Sequence, residues 1–368
     1  MEESLSTVEA FACTSCGADL KYSPGTTDLG CEYCGAANEI PALDVTIQEF
    51  NFHEYLQNQT EPDAQFTASY IKCDGCGASS TLEPNVTSCA CPYCSTSLVL
   101  EQAKDETLIQ PKSLLPFKLD KNEAKTEFKK WVKKLWFAPN ELKKAALNFD
   151  RFKGVYIPYW TYDTDTMTNY IGQRGEYYYV TESYTTTVNG KSVRKTRQVR
   201  KTRWYPASGS VQKFFDDVLT VATKSLPQKY VTKLEPWDLE NLVPYDSRYL
   251  SGFTSEKYQI GLEEGFEIMK GIIKPQISSL IRRDIGGDTQ RIITMSTQYD
   301  DITFKHLLLP VFVSAYKYKD KLYQFLVNAR TGEVQGERPY SWIKIAALVI
   351  GILGIAGLIY FLFIAQGS

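Results

Sequence analysis

Eight of the nine cysteines in this 368-residue chain fall into two quartets of identical design. Cys13-x2-Cys16 is followed after fourteen residues by Cys31-x2-Cys34, and Cys73-x2-Cys76 after fourteen by Cys91-x2-Cys94. Two Cys-x-x-Cys knuckles so spaced place four thiolates around one tetrahedral ion, with short strands between them, which is the chemistry of a zinc ribbon. The second quartet starts sixty residues after the first, and its surroundings repeat: Gly17-Ala18 matches Gly77-Ala78, and Tyr33 matches Tyr93. This pattern is an internal duplication. Disulfides would suit an oxidising compartment instead. A redox Cys-x-x-Cys normally occurs once, in a thioredoxin-like setting, rather than four times. Rubredoxin-type iron uses similar knuckles, and Cys91-Pro-Tyr-Cys94 has that flavour, but its knuckles stand about twice as far apart. Two Zn2+ per chain are therefore expected. Cys89 aligns with Leu29 of the first copy and falls outside the quartet, although it could compete with Cys91 as a ligand.

Charge decides what such ribbons could touch. Residues 1–100 carry fourteen Asp and Glu against only Lys21 and Lys72, a formal −12, and a fully deprotonated four-cysteine zinc site adds −2. Phosphate neutralisation needs the opposite sign, so nucleic-acid binding through the ribbons is disfavoured and protein docking fits better. After residue 100 the balance reverses to 39 basic against 29 acidic residues.

The elements that must position these sites read as a multidomain chain. Two small β zinc ribbons (1–40 and 69–102) are joined by a linker (41–68). A basic helical segment (103–153) then leads into a β-rich, antiparallel α+β domain (154–340) and a transmembrane helix (343–365). The linker holds one expected short element, Thr46–Gln57, with His53 as a surface or packing residue. A helix is predicted from Lys121 to about Trp136, opened by the Asp120/Glu123 capping box. Its stripe of Phe128, Trp131, Val132 and Leu135 could pack on the β domain or lie on an anionic membrane. Tyr177–Val180 and Tyr184–Val188 lead into Asn189-Gly190, a strong hairpin signal. The return strand, Lys191 to Arg203, is basic on both faces, so the hairpin should project from the body toward anionic lipid or nucleic acid, unless Glu176 and Glu182 balance it. A helix over 254–283 is predicted on Ile260, Glu264, Ile268 and Ile272, with Pro275 as a break or restart. A final hairpin runs from Leu307–Tyr318 to Leu322–Val334, with Gly332 at a positive-φ turn.

From Ile345 through Ala365 twenty-one residues carry no charge. At about 1.5 Å per residue they span a bilayer core of about 30 Å. Arg338 and Lys344 precede the segment and no basic residue follows it, which predicts a single-pass protein in the cytoplasmic membrane with its N-terminal bulk in the cytoplasm. Met1-Glu2-Glu3-Ser4 lacks the pattern of a cleavable secretion signal. Ala347, Gly351 and Gly354 share one face of the helix and could pack on a partner helix or a second copy.

No catalytic constellation is legible. His306 has no nucleophile or carboxylate partner in sequence. Gly190-Lys191-Ser192 lacks the glycine of a phosphate loop, since Thr185 stands there, and no acidic ATPase box exists. The chain is expected not to be an enzyme.

Several longer runs are distinctive: Tyr156-Ile157-Pro158-Tyr159-Trp160, Gly172–Tyr177, Arg203–Gly209, Phe214–Asp217, Pro236–Leu239, Asp284–Asp288 and Arg330–Arg338. With the cysteines, they resemble bacterial membrane-anchored zinc-ribbon proteins of the YdjG type over essentially the whole chain. Asn328–Val334 also resembles, weakly, a PepSY-type signature. The YdjG-type resemblance implies a non-enzymatic membrane component acting with SPFH-domain and TPM-domain proteins in a phage-shock-like envelope stress complex. Such proteins are often labelled primosomal protein N′-like or helicase-like. The alternative function is accordingly a membrane-tethered nucleic-acid-binding protein, using residues 191–203.

Overall fold

The structure, a computed structural model, describes residues 11–42, 47–57, 65–81, 88–94, 96–99, 104–141, 152–188, 191–318 and 321–366. The two cysteine lobes come first. β1 (Leu20–Tyr22), β2 (Asp28–Cys31) and β3 (Ala37–Glu39) form the antiparallel sheet of the first. The predicted linker is more than a spacer: β4 (Phe50–Asn51) pairs with the main sheet, and α1 (Phe52–Gln57) buries Phe52 against it. His53 is exposed. The second lobe contains β5 (Gln65–Lys72), β6 (Ser79–Ser80), β7 (Ser88–Ala90) and β8 (Ser97–Val99), and β9 (Lys104–Ile109) returns along β5.

After β10 (Ser113–Leu114), α2 (Lys121–Lys134) starts at the expected capping box: Asp120 accepts from Asn122 and Glu123 N–H while Glu123 accepts from Asp120 N–H. Ala124, Phe128 and Val132 are buried, with Phe128 stacked at 4.0 Å on Phe325. This apolar stripe is spent on the β domain. The alternative of α2 lying face-down on a membrane is thereby excluded.

Three strands of unusual length make the body. β11 (Lys153–Val188) and β12 (Lys191–Val221) pair from Tyr159↔Val221 to Val188↔Lys191. The turn residues Asn189 and Gly190 lie outside the described residues. β13 (Val243–Pro244) and β14 (Thr254–Ser255) border the sheet, and α3 (Leu262–Ile285) crosses one face of it. β15 (Thr289–Tyr318) pairs with β11 as far as Gly175↔Thr289. β16 (Lys321–Asn328), β17 (Val334–Gly336) and α4 (Trp342–Gln366) complete the chain.

Two expectations are corrected here. The helix begins at Leu262, not 254, because Thr254 and Ser255 pair with Val155 and Tyr156 as a strand. Its core stripe is Leu262, Phe266, Met269, Ile273, Ile277, Ile281 and Ile285, whereas Ile268 and Ile272, on which the helix was predicted, are exposed. Pro275 sits inside without ending the helix: about 3 kcal/mol for an interior proline is less than seven buried apolar side chains at roughly 1.5–3 kcal/mol each. The final hairpin's first strand also starts eighteen residues before Leu307, at Thr289.

From Val155 to Tyr162 every side chain of β11 is buried, because both faces of the sheet are covered. Tyr156, Leu308 and Phe312 meet the first lobe and α2. Val155, Ile157, Tyr159, Leu307, Leu309 and Val311 point the other way, into the cluster that holds Ile71, Cys73, Ala78, Cys91, Tyr93 and Leu98. The duplicated lobes therefore cap opposite faces of one sheet.

Candidate metal centres

Each quartet converges. The four Sγ atoms of Cys13, Cys16, Cys31 and Cys34 lie within 4.8 Å of one another, as do those of Cys73, Cys76, Cys91 and Cys94. The close pairs cross between knuckles: Cys13–Cys34 3.7 Å, Cys16–Cys31 3.6 Å, Cys73–Cys94 3.4 Å and Cys76–Cys91 3.7 Å. A tetrahedral ion with metal–sulfur bonds of about 2.3 Å requires sulfur–sulfur edges of about 3.8 Å. The residues fit a metal ion in both places. Four protein ligands close the coordination sphere and leave no open position for a reacting water, which is the mark of a structural rather than a catalytic site.

The backbone explains why the thiols converge. In the first knuckle Gly17 N–H donates to Cys13 O (2.8 Å) and Cys13 N–H to Ala18 O (2.8 Å). The same ring forms at Cys31 with Gly35 and Ala36, and at Cys73 with Gly77 and Ala78. Gly17, Gly35 and Gly77 all take φ near +77°, where a side chain would be strained, so the small residue after each of these knuckles is a requirement of the turn. Hydrogen bonding shifts Cys13, Cys31 and Cys91 toward thiolate, whereas Cys16, Cys73 and Cys76 are shifted toward thiol. The Ser15 N–H, at 3.4 Å, helps lower Cys13 to about 6, and Cys31 is lowered by the Cys34 N–H. Hydrogen bonding from Cys76 brings Cys91 down to about 5 and holds the Cys76 thiol correspondingly high.

The two lobes are joined to the sheet differently. The first hangs on bonds to or between backbone groups: Tyr22 N–H donates to Ser251 O, Gly25 N–H to Phe117 O, and the Ser251 and Tyr22 hydroxyls to Leu20 O and Phe117 O, respectively. Its knuckle tips, with Cys16, Glu32, Tyr33 and Cys34, face solvent. The second is locked in by a side chain. Tyr93 is fully buried, whereas its counterpart Tyr33 is 85% exposed. Tyr93 Oη donates to Glu256 Oε2 at 2.7 Å, and Thr223 Oγ1 donates to Glu256 Oε1 at 2.7 Å. Burial pushes the Glu256 carboxyl up to about 7. Removing the Tyr93 hydroxyl strips a buried carboxyl of one donor. Tyr93→Phe should therefore destabilise the head, measured without its tail helix, by about 1–3 kcal/mol. Tyr33→Phe should stay within about 0.5 kcal/mol in the same denaturant titration. Equal effects would show that the copies are not used asymmetrically.

Cys89 sits on β7 at the position Leu29 occupies on β2, outside the four-sulfur group. His306 is buried, with Nδ1 3.0 Å from Ile109 O and its ring tilted over Trp160 at 4.7 Å; burial lowers it to about 4. The projecting ribbon is real. Among the described residues, only β11 and β12 continue beyond Gly175, thirteen residues each, or about 40 Å at about 3.3 Å per residue. Arg200 lies over Tyr177, Arg203 over Tyr178 and Arg197 over Tyr184. Glu182 pairs with Arg197 and Lys201, while Glu176 pairs with Arg174 and stands directly opposite Arg203, so both expected acidic neighbours offset part of the basic charge.

One polar cluster carries no sequence signal. Lys305 Nζ reaches Glu49 at 2.9 Å and Asp217 at 2.7 Å, and Thr303 Oγ1 donates to both Glu49 and Asp163. Burial, with Glu49 alongside, raises Asp163 to about 7. Its members come from four distant segments and meet only where β11 bulges near Asp163. The cluster ties the interlobe strap to the sheet.

No protein-family model matches the chain. The chain is similar to the uncharacterized protein YdjG of Bacillus subtilis (strain 168), with 27% identity over 350 residues that cover 94% of each protein.

Proposed function

We propose that the protein is a non-enzymatic, zinc-loaded scaffold anchored in the cytoplasmic membrane, with its head in the cytoplasm, where it recruits or organises protein partners. The observation that carries this reading is the closing helix. From Trp342 to Phe363 it is long and apolar enough to cross a membrane, and none of it is buried in the head. A head ending in such a helix, with closed four-cysteine sites and an exposed acidic knuckle tip, is built to hold surfaces in place. Sulfur-only tetrahedral sites suit zinc or iron–sulfur chemistry, and the short ribbon spacing favours zinc.

SPFH-domain and TPM-domain proteins are the proposed partners. The tip of the first lobe offers a docking end for a basic surface, and the Ala347/Gly351/Gly354 face a seat for a membrane helix or a second copy. Affinity purification of the full chain from solubilised membranes, with mass spectrometry, should recover proteins absent from a control bearing only residues 342–368. Recovery of nothing beyond that control would overturn the reading. The basic ribbon Lys191–Arg203, with its exposed arginines over tyrosines, supports a second reading as a lipid- or nucleic-acid-binding arm. Purified protein should show no ATP turnover; a turnover lost in Lys191→Ala would favour the helicase-like alternative.

A further inference from the structure

The start of α4 is fastened to the head rather than hinged from it. Ser341 N–H donates to Phe137 O at 2.7 Å. Lys344 Nζ donates to Ala138 O and Asn140 Oδ1, both at 2.7 Å, and lies 3.4 Å from Trp136 O. The loop 135–140 that follows α2 thus grips the first turn of the apolar helix, while Leu135 and Ala138 are buried against Trp131 to hold the loop itself.

The same junction gathers the chain's exposed tryptophans. Of six tryptophans, Trp131, Trp160, Trp204 and Trp237 are buried or half-buried, whereas Trp136 is 76% and Trp342 82% exposed. Trp136 immediately precedes Phe137, and Trp342 immediately follows Ser341, so the two indoles flank one hydrogen bond. Tyr340 and Ile343 are exposed beside them, and the last turn of α2 adds Lys133 and Lys134. Exposed indoles are costly in water and favourable in the headgroup layer, where an apolar ring and a polar N–H are both accommodated. Lysines at that depth meet lipid phosphate, which attracts them at an anionic surface.

We propose that loop 135–140 is a second membrane contact. Trp136 sits in the headgroup layer of the bilayer that α4 enters, level with Trp342, and Lys133 and Lys134 face its anionic lipids. The head is therefore seated on the membrane by the end of α2 and does not swing on a tether. This inference rests on the reading that α4 spans a bilayer.

The test places a photo-reactive benzoylphenylalanine at position 136, 350 or 33 of the full chain, in vesicles of phosphatidylethanolamine and phosphatidylglycerol. Position 350 reports the span, and position 33 is an exposed site on the first lobe. Lipid adducts at 136 should approach those at 350 and exceed those at 33 by about tenfold. Adducts at 350 with none at 136 would overturn the seat and leave the span standing. Adducts at 136 without any at 350 would overturn the span and, with it, a seat level with the entry of α4, and their absence from both would overturn both. Trp136→Ser, which removes no buried group, should leave the head's thermal unfolding unchanged while lowering protection of loop 135–140 from hydrogen exchange in the vesicles; unchanged protection would also count against the seat.

Discussion

Purified full-length protein will carry two equivalents of zinc, and stripping them will unfold both lobes. In the second lobe Cys73 and Cys91 are buried within the same cluster as Tyr93, Val155 and Leu309, so an unpaired thiolate set there opens one whole face of the sheet. Metal binding to such sites is worth about 10–16 kcal/mol, comparable to the whole net stability of a domain at about 5–15 kcal/mol. Cys76→Ser or Cys91→Ser should therefore drop the metal content to one equivalent and abolish the cooperative unfolding of the head. Cys16→Ser should also cost one equivalent and should destabilise the head as well, since Cys13, Leu20, Tyr22 and Cys31 of the first lobe are buried in one cluster with Tyr156, Leu308 and Phe312. Cys89→Ser should leave the content at two. Elemental analysis with thermal unfolding reads all of these. One equivalent in the parent, or iron with a visible absorption band, would overturn the assignment.

What the sequence made legible was local. The quartets, the Asp120/Glu123 capping box, the hairpin closing between Val188 and Lys191, the Gly332 turn at φ +78° and the apolar tail each rest on a few adjacent residues. What it hid was long-range. The duplication predicts like roles for Tyr33 and Tyr93, yet one is solvated and the other sealed onto Glu256, because the copies meet different neighbours 160 and more residues away. Strand lengths escaped for a related reason. Residues 291–303 largely alternate over a sheet face that is half solvated, and Lys305 and His306 are buried but polar, so this stretch lacks the continuous apolar run that marks Leu307–Val313 as buried. The stripe of α3 was misphased because Ile268 and Ile272 are apolar but outward-facing, while Gly265, invisible to hydrophobic periodicity, lies on the buried side against Tyr162 and Trp160. Glu49, Asp163, Asp217 and Lys305 had no legible spacing at all, since a bulge and a strap bring them together.

Deleting residues 342–368 will move the protein from the membrane pellet to the soluble fraction. The segment Ile345–Ala365 contains thirteen Ile, Leu, Val and Phe residues, which at about −0.3 to −0.6 kcal/mol each contribute roughly −4 to −8 kcal/mol toward insertion. No other described helix is long and apolar enough to replace it. What remains is electrostatic. Lys133, Lys134 and the ribbon from Lys191 to Arg203 each add on the order of 1 kcal/mol per cation at an anionic surface, and salt screens that attraction beyond about 8–10 Å. The truncated head should therefore sediment in part with anionic vesicles at low ionic strength and be released by a high-salt wash, whereas the full chain should resist the wash. The ribbon's share can be separated from that of the loop. Neutralising Arg194, Arg197 and Arg200 should weaken low-salt retention to the share left to Lys133, Lys134 and the remaining ribbon cations if the ribbon lies along the membrane. Retention should be unaffected if the ribbon, whose tip is thirty-five residues along β11 from Lys153, stands away from it. A truncated head that stays bound through the wash would show that α4 is not the anchor.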